Sequence, residues 1–403
     1  MSTLNQPEDL VFVAAKRTAF GSYGGTLASF SATDLAVEAA KACLTQSGVK
    51  ANEIDSIIVG NVVQSSSDAI YLARHVGLKI GMPEDRPALV VNRLCGSGFE
   101  AIAQGAYQLM IEGADCVMVG GSESMTQIPY VLRSARFGYR LGNGVAEDYL
   151  TASLTDSYTG QPMAITAENL AERYKLSRSQ VDEYALRSQQ RAAAAWESGC
   201  FRDEVCPIEY TKKGKTLVFE KDEHMRPEST LESMSKLPPL FKKEGTVTAA
   251  TASGICDGAS MMILCKRSFA EKKKLPILGK LISWASVGCD PKIMGIGPVP
   301  ATQKVLERWS TQDGKAHKVS DFALVEINEA FGAQYLSVEK ELGLDPEKTN
   351  VDGGAIAIGH PLAASGTRLV SHLLYRLKSK GGKFGLASAC IGGGQGMSVI
   401  VEV

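Results

Sequence analysis

Short apolar runs alternate with longer amphipathic stretches along most of the chain. LVFVAAKR begins at Leu10, and IDSIIVGNVV follows it after the stretch SATDLAVEAAKACLTQSG. The β-branched runs are typical of buried strands, and the stretches with a period of about 3.6 residues are typical of helices. PALVVNRL, GSGFEAIAQGAYQLMIEG and ADCVMVGGSESM repeat the same order. This alternation predicts an α/β fold of packed layers with a largely parallel sheet.

The pattern becomes irregular after Gly121. Residues 122–245 are more polar, and they contain one long amphipathic stretch, RSQVDEYALRSQQRAAAAWESG, beside turn-rich segments such as PPLFKKEG. We interpret residues 122–245 as a loop domain set into a first α/β unit that comprises residues 1–121 and 246–274. A second α/β unit is predicted at residues 275–403, where strands and helices return in a similar order. NRLCGSG and ASACIGGGQG each lead through Cys into glycines, which indicates an internal duplication.

Composition excludes several classes of protein. The 403 residues are 44% hydrophobic and 22% charged with a formal net charge of -1, so the chain can bury a large core and shows no basic bias toward nucleic acid. The nine cysteines lack CxxC pairs and metal-ligand spacing, which predicts a reducing compartment and neither a disulfide framework nor a metal site. No apolar run reaches the ~20 residues that span a bilayer, so we expect no membrane span.

The extreme N-terminus bears on targeting. MSTLNQPEDLVFVAAKRT carries Glu8 and Asp9 before its first lysine. It therefore differs from a secretory signal, which has an apolar core, and from a cleaved transit peptide, which is rich in Arg and poor in acidic residues. We expect a soluble intracellular protein, with organelle targeting by an uncleaved or trimmed signal left open.

Cys95 is the first candidate for chemistry. It ends an apolar run, glycines that permit a sharp turn follow it, and a predicted helix comes next. A thiol at this place would face free backbone N–H groups and the positive end of the helix dipole, which predicts a lowered thiol pKa. The same N–H groups suit a developing oxyanion. This local context is equally compatible with a buried structural cysteine.

The glycines after Cys95 also match a dinucleotide-binding fingerprint. GSGFEA at residues 96–101 reads GxGxxA after a predicted strand. However, polar Asn92 and Arg93 precede it, and no acidic residue is well placed at a following strand end to bind a ribose. We therefore expect no dinucleotide cofactor at this turn.

Three further candidates follow apolar strands or lie in rigid glycine turns. His360 lies in GGAIAIGHP, where Gly359 permits a close approach and Pro361 fixes the backbone. Cys390 ends an apolar run before GGGQG, and Asn328 follows ALVEI. A rigid histidine suits the role of base for a cysteine nucleophile, and a second cysteine can move a proton. An ordinary loop histidine and a turn-forming asparagine are the simpler alternatives.

Four segments together resemble the signature regions of the thiolase family: NRLCGSG, NEAFGAQ, GGAIAIGHP and CIGGGQG, in this order. The resemblance covers essentially the whole chain, and QSSSDAIYLARHVGL, PMAITAENL and DPKIMGIGPVPA resemble the mitochondrial-type 3-ketoacyl-CoA thiolases in particular. It implies a five-layered αβαβα core of two duplicated βαβαβαββ units, with an inserted loop domain for CoA binding and oligomer contact. It also implies a homodimer or homotetramer in the mitochondrial matrix. Because no cleavable transit peptide is visible, a cytoplasmic location stays open.

The resemblance implies roles for the candidate residues. Cys95 corresponds to the nucleophile that accepts the acyl group, His360 to the base that activates it, and Cys390 to the second cysteine, which shuttles a proton. Asn328, through a water, and His360 correspond to a first oxyanion hole, and the backbone N–H groups of Cys95 and Gly392 to a second. The implied substrates are acyl-CoA and CoA, with no bound cofactor.

The implied reaction is ping-pong thiolytic cleavage of a 3-ketoacyl-CoA to acetyl-CoA and a shortened acyl-CoA. The same groups run the reverse Claisen condensation, so a biosynthetic acetyl-CoA acetyltransferase that makes acetoacetyl-CoA is the alternative. A non-catalytic acyl-CoA-binding scaffold is the alternative from a different class of protein.

The resemblance also implies a set of CoA-binding positions. They are Leu154, Met163, Arg226, Ser233, Phe241, Ala249, Ala252, Ser253 and Phe331. Arg226 is the clearest of them, because a guanidinium suits an anionic nucleotide, and ordinary loop packing is the alternative for each of the others. KKGK at residues 212–215 is predicted to be a solvated hairpin turn rather than a phosphate site. An oligomer contact is expected near residues 126–144.

The chain departs from the family pattern at three places. Gly332 stands where Ala is usual, which predicts a looser turn beside the NEAF segment. Ala250 and Thr251 replace the commoner Gly-Asn. Pro162 stands where short-chain biosynthetic relatives often have His, which favours a degradative function. The remaining histidines are expected to be structural or solvent-exposed: His75, His224, His317 and His372.

Overall fold

The computed structural model describes residues 8–403. Residues 1–7, which carry part of the targeting prediction, lie outside the described residues. The rest of the chain forms a first α/β unit, a region inserted into it, and a second α/β unit. Within residues 8–403, no helix is both long and apolar enough to cross a membrane.

The first unit alternates strands with helices. Its elements up to the insertion are β1 (Leu10–Thr18), β2 (Gly21–Ser22), α1 (Ala32–Ser47), β3 (Ser56–Gly60), α2 (Leu72–Lys79), β4 (Ala88–Val91), α3 (Ser97–Ile111) and β5 (Cys116–Ser124). Helix α1 begins where Ser31 and Asp34 exchange hydrogen bonds as a capping box, and it ends at Gly48 in the left-handed region. Strand β5 continues to Ser124, so the first unit extends past Gly121, where the pattern indicated a boundary.

The inserted region connects β5 to the return strand of the first unit. Its elements are β6 (Tyr130–Leu132), β7 (Ala146–Asp148), α4 (Tyr149–Ser153), β8 (Thr155–Asp156), β9 (Gln161–Pro162), α5 (Met163–Tyr174), α6 (Arg178–Glu197), β10 (Val205–Cys206), β11 (Ile208–Lys212), β12 (Lys215–Phe219) and α7 (Leu231–Ser235). β11 and β12 pair around Lys213 and Gly214, which both have positive φ, so the prediction of a hairpin turn at KKGK is confirmed. β13 (Cys256–Lys266) and α8 (Arg267–Lys273) complete the first unit.

The second unit repeats the order of the first. Its elements are β14 (Gly279–Gly288), α9 (Pro298–Asp313), β15 (Leu324–Ile327), α10 (Gly332–Leu342), α11 (Ala355–Ile358), α12 (Leu362–Lys380), β16 (Phe384–Ile391) and β17 (Gln395–Glu402). A parallel bridge between Val325 and Thr349 stands where the first unit has β4. The order of elements therefore agrees with the predicted duplication.

The strands of both units form one continuous sheet with a mirrored order. That order is β15-β16-β17-β14-β1-β13-β5-β3-β4, and the two halves meet where β1 and β14 pair antiparallel. Toward this junction, the strands of the first unit run β3, β5, β13 and β1, and those of the second unit run β15, β16, β17 and β14. The two series correspond strand by strand in the order of elements of each unit. The prediction of a largely parallel sheet is wrong. β13 lies between β1 and β5 and is antiparallel to both, and β17 lies between β14 and β16 and is antiparallel to both. The shared order supports the duplication.

Alternating side chains divide most of the apolar core of the sheet into three large clusters. In β5, Met118 lies in a cluster beneath α1 and α2, whereas Val117 and Val119 lie in a central cluster. In β17, Val399 enters the central cluster and Ile400 enters a third cluster beneath α9 and α10. The central cluster contains α3 and α12, packed between the two halves of the sheet. Because strand side chains alternate with a period of two, both faces of each half-sheet are covered, and the predicted five layers are confirmed.

Two glycines let α3 and α12 touch backbone to backbone. A Cβ atom on Gly98 would lie 2.6 Å from the backbone nitrogen of Thr367, and one on Gly366 would lie 2.5 Å from a backbone nitrogen of α3. Neither distance is compatible with a side chain, so both positions require glycine. Since Gly98 lies in α3 and faces α12, the glycine at this position serves helix packing. The contact also lies near the N-terminal ends of the two helices, which begin just after Cys95 and His360.

Replacing Gly366 by Ala should force α3 and α12 apart and weaken the fold. The added methyl group overlaps backbone atoms, and overpacking of this kind costs about 1–3 kcal/mol. We expect this loss in the free energy of unfolding measured in urea. Ser379→Ala on the exposed face of the same helix is the matched control and should change stability by less than about 0.5 kcal/mol. Equal stabilities of the two variants would contradict the constraint.

Candidate active site

The turn that carries Cys95 lies between β4 and α3 and packs on a second glycine turn. Leu94 adopts a left-handed backbone with a φ of 47°, which directs the chain into the turn. A Cβ atom on Gly96 would collide with Ile391, the last residue of β16. The backbone N–H groups of Cys95 and Gly392 both lie within hydrogen-bonding reach of the Cys95 sulfur. The two turns therefore present a pair of donors beside the thiol.

Burial dominates the acidity of the Cys95 thiol. It raises the pKa of Cys95 to about 11, the N–H groups of Gly392 and Cys95 oppose this rise, and the charge of Glu123 adds to it. The expectation of a lowered thiol pKa is wrong, because desolvation of the sulfur outweighs the donors at the helix end. Cys95 is therefore a neutral thiol at neutral pH and needs a base for attack.

His360 is held as a neutral base in one orientation. Its Nδ1 lies 2.6 Å from the Ser365 hydroxyl, which in turn donates to the Pro361 carbonyl at 3.0 Å. Because the hydroxyl proton is engaged with that carbonyl, Nδ1 donates to Ser365 and Nε2 keeps its lone pair. Burial, aided by the charge of Arg368, lowers the pKa of His360 to about 3. The ring can accept a proton through Nε2.

Asn328 lies fully buried beside His360. Its Nδ2 is 3.4 Å from His360 Nε2, and its backbone N–H donates to the Ser388 carbonyl at 2.9 Å. The Oδ1 atom of Asn328 is buried and has no hydrogen-bond partner among residues 8–403. A buried amide without a partner is suited to bind a polar group or water. The geometry thus brings together Asn328 and His360, the two residues predicted for the first oxyanion hole.

Cys390 is a second neutral thiol at the end of β16. Burial raises its pKa well above the usual range, and the neighbouring Cys95 and Cys289 add to the rise. Met163 and Phe331 pack against the apolar cluster that contains Cys390. A thiol with such a pKa gives its proton only to a strong base, such as an enolate carbon.

The nine positions predicted to bind CoA differ in depth. Four are exposed: Arg226, Ser233, Phe241 and Ala249. Five are half-buried: Leu154, Met163, Ala252, Ser253 and Phe331. Leu154 packs in the apolar cluster that contains Cys95, and Met163 and Phe331 pack in the cluster that contains Cys390. Leu154, Met163 and Phe331 therefore lie beside the two thiols, whereas Phe241 and Ala249 are at the surface.

The side chains at two of the exposed positions form hydrogen bonds with nearby backbone groups of their own segment. Arg226 Nη1 donates to the carbonyls of His224 and Met225 at 2.7 and 3.0 Å, and the guanidinium stays at the surface. Ser233 and Thr230 exchange hydrogen bonds as the capping box of α7. Ser233 thus has a structural role at this helix end, whereas Arg226 presents its charge to solvent.

A short hydrogen-bonded ladder ties residues 246–253 to the turn after β15. Gly332 N donates to the Thr251 carbonyl at 2.8 Å, and Ser253 N donates to the Ala330 carbonyl at 3.0 Å. The prediction of a looser turn at Gly332 is wrong, because this ladder closes the turn. The segment predicted to bind CoA and the turn that carries Asn328 therefore form one unit.

Two departures from the family pattern fit this ladder. The Thr251 hydroxyl donates to the Thr246 carbonyl at 2.8 Å and accepts from Thr248 N at 2.8 Å, which locks the segment. A Cβ atom on Gly332 would lie 2.9 Å from Val181 Cγ1, so the missing methyl group makes room for Val181. Local packing accounts for both Thr251 and Gly332.

Two residues that support the site were missed by sequence analysis. Ser365 fixes the tautomer of His360, and its only signal is a hydroxyl residue in the first turn of the helix that follows the Gly-His-Pro turn. Glu123 affects Cys95 from within β5, and its signal is an acidic residue that continues a fully buried strand. Neither signal is specific, because both depend on which segments meet in space.

The other histidines have structural surroundings. His372 is buried between Glu204 and Asp352, at 2.8 and 3.1 Å, and these carboxylates overcome the effect of burial and raise its pKa to about 10. His317 stacks on Trp309 with ring centroids 3.4 Å apart. The remaining two are half-buried: His75 and His224. Nowhere in the described part of the chain do three or more His, Cys, Asp or Glu side chains form a metal-binding group.

Alkylation by iodoacetamide should report the high pKa of Cys95. Only the thiolate reacts, and burial raises this pKa to about 11. The rate constant at Cys95, followed by mass spectrometry, should rise about tenfold per pH unit between about pH 7 and about pH 9.5 without a plateau. The Cys95→Ala variant identifies the signal. A plateau below about pH 8 would mean that the thiolate already dominates in the free protein.

Comparison with known sequences identifies the family. Models of the thiolase N-terminal and C-terminal domains match residues 10–268 and 275–403. The mitochondrial 3-ketoacyl-CoA thiolase of Homo sapiens is 53% identical over 392 residues, which cover 97% of each chain. The acetyl-CoA acetyltransferase of Chromobacterium violaceum is 44% identical over 398 residues, which cover 98% of this chain and 99% of the relative.

Solved structures agree with the sequence comparison. The crystal structure of human mitochondrial 3-ketoacyl-CoA thiolase in complex with CoA matches with a TM-score of 0.94 at 52% identity and covers 98% of both chains. The two domain matches span both α/β units and the inserted region. The chain belongs to the thiolase family.

Proposed function

We propose that this thiolase cleaves 3-ketoacyl-CoA with free CoA, to give acetyl-CoA and a shortened acyl-CoA. The observation that carries the proposal is the proximity of two neutral thiols, Cys95 and Cys390. The neutral base His360 lies just before α12, whose first residue, Leu362, packs in the same apolar cluster as Cys95. The 53% identity to a 3-ketoacyl-CoA thiolase supports an acyltransferase with this substrate. The human relative crystallised with CoA supports CoA as the acceptor.

In the first half-reaction, the Cys95 sulfur attacks the 3-keto carbon while His360 Nε2 takes the thiol proton. The resulting alkoxide is held by the backbone N–H groups of Cys95 and Gly392. Collapse of this alkoxide breaks the bond between the second and third carbons of the substrate. Acetyl-CoA leaves as an enolate beside Asn328 and the protonated His360, and the Cys390 thiol protonates its carbon. Cys95 is left as a thioester.

In the second half-reaction, the Cys390 thiolate takes the thiol proton of an incoming CoA. The CoA sulfur attacks the thioester carbon, and the N–H groups of Cys95 and Gly392 hold the second oxyanion. Cys95 then leaves and recovers its proton from His360. Every proton returns to its starting group, so the cycle closes without a cofactor.

The raised pKa of Cys95 and the lowered pKa of His360 imply that the free site holds little thiolate. With the pKa of Cys95 raised to about 11 and that of His360 lowered to about 3, an ion pair of thiolate and imidazolium is disfavoured without substrate. Proton transfer therefore accompanies attack, when the new oxyanion gains its donors. A thiolate of high pKa is also strongly nucleophilic once it forms.

We further propose a homodimer or homotetramer in the mitochondrial matrix. β4 is an edge strand that exposes Leu89, and Ile111 at the nearby end of α3 is 76% exposed. Phe137 and Leu141 in the loop between β6 and β7 are 90% and 97% exposed. These apolar surfaces support contact with further copies, which light scattering tests, and a monomer in solution would overturn the assembly. The word mitochondrial in the names of the relatives supports the location.

Thiolysis of a medium-chain 3-ketoacyl-CoA should proceed at a rate comparable to that of acetoacetyl-CoA. The apolar cluster around Cys95, which includes Leu150 and Leu154, supports binding of an acyl chain longer than acetyl. The measurement is the loss of substrate absorbance with each compound at saturating CoA. Cleavage of acetoacetyl-CoA alone would favour the biosynthetic acetyltransferase, and no cleavage of either would favour a scaffold.

Substitution of the two thiols should separate their roles. With acetyl-CoA, mass spectrometry should find acetylation at Cys95 in the native protein and in Cys390→Ala, but not in Cys95→Ala. Cys390→Ala should lose about 10²–10⁴-fold in thiolysis rate, because no group then protonates the enolate. Cys200→Ala, which removes a half-buried thiol elsewhere, is the control with native turnover. Normal turnover of Cys390→Ala would refute the proton shuttle.

A further inference from the structure

Glu123 is a buried carboxylate that accepts hydrogen bonds only from uncharged donors. It lies on β5 with none of its surface exposed. Its Oε1 accepts from Val63 N at 2.9 Å and from Asn61 Nδ2 at 3.3 Å. Its Oε2 accepts from Val62 N and from Ala363 N, each at 3.1 Å. Four N–H groups from two distant parts of the chain therefore converge on one side chain.

The two parts of the chain are the walls of the site. Residues 62–63 pack in the apolar cluster that contains Cys95. Ala363 is the second residue of α12, and His360 lies just before that helix. Glu123 thus connects the wall behind the thiol to the wall that carries the base.

We propose that Glu123 is a positioning residue for acyl transfer, which sets the separation of Cys95 and His360 by hydrogen-bonding both walls at once. It acts through the backbone of residues 62–63 and the first turn of α12, and it touches no reacting atom. The inference rests on the roles proposed above for Cys95 and His360.

Only a carboxylate satisfies this arrangement. Each oxygen faces two donors, so an amide in its place would set its own NH₂ group against two N–H groups. The end of α12 contributes its positive dipole, which stabilises the charge without a cation. A glycine at position 121 is needed for the same approach, because a Cβ atom there would collide with the Ala363 carbonyl.

The charge of Glu123 affects the pKa of the Cys95 thiol, and this effect can be measured. Burial raises the pKa of Glu123 to about 7, its backbone donors oppose this rise, and Asp257 on the adjacent β13 adds to it. The charge of Glu123 in turn raises the pKa of Cys95. Removing that charge should therefore shift the pH dependence of Cys95 alkylation downward, which loss of stability alone would not do.

The test compares Glu123→Gln and Glu123→Asp with the native protein. Turnover is expressed per Cys95 that reacts with iodoacetamide, so that misfolded protein does not count. Glu123→Gln should lower kcat about tenfold or more with KM within about twofold, because misplacement of the base slows the chemical step. Its alkylation profile should shift down by about half a pH unit or more. Glu123→Asp keeps the negative charge, but its shorter side chain cannot hydrogen-bond both walls. Its pH dependence of alkylation should therefore match that of the native protein, while its kcat falls.

Asp257→Asn is the matched control. Asp257 is a buried carboxylate on the adjacent strand, and its side chain accepts from Thr126 rather than from either wall. This variant should keep kcat within about twofold of native. The proposal is overturned if both Glu123 variants also stay within that range, whatever their melting temperatures, or if the profile of Glu123→Gln is unchanged. Should Glu123→Gln fail to fold, the kcat of Glu123→Asp decides. Failure of the proposed function is separate, because the native protein would then perform no thiolysis.

Discussion

The contact between α3 and α12 is the constraint on which the rest of the structure depends. Gly98 and Gly366 remove the side chains that would hold the two helices apart. The helices come from different units, and each begins just after a residue proposed to react, Cys95 and His360. Close packing at the centre of the five layers therefore fixes the ends of the two helices that lie beside the proposed nucleophile and base. A duplicated fold serves this end well, because equivalent loops meet at the junction of its halves.

Burial is the second determinant of the chemistry. The same packing that aligns the groups removes water from them, and desolvation keeps Cys95, Cys390 and His360 neutral. The thiols are therefore protonated in the free site, and negative charge develops during the proposed reaction, next to backbone N–H donors. Buried Glu123 follows the same rule, since convergent N–H groups stabilise its charge in place of a cation.

Sequence reasoning was accurate where one local signal decided the outcome. The alternation of apolar runs predicted the α/β layers, and KKGK predicted the hairpin between β11 and β12. It failed where partners are distant in sequence. The direction of β13 and β17 depends on which strands of the sheet they pair with after the chain returns. The space around Gly332 depends on Val181, which belongs to another helix. The acidity of Cys95 also depends on solvent exclusion by both units, which a helix-end argument does not include.

The sequence by itself determined the family, the two-unit order and the identity of the candidate groups, because strand and helix periods and turn glycines act over a few residues. Only the tertiary structure decided how these groups work together. It made His360 a neutral base through Ser365, made Cys95 a thiol of high pKa, and placed Glu123 between the two walls. These properties arise from burial and from hydrogen bonds between separate segments, and such effects exist only when the chain is folded.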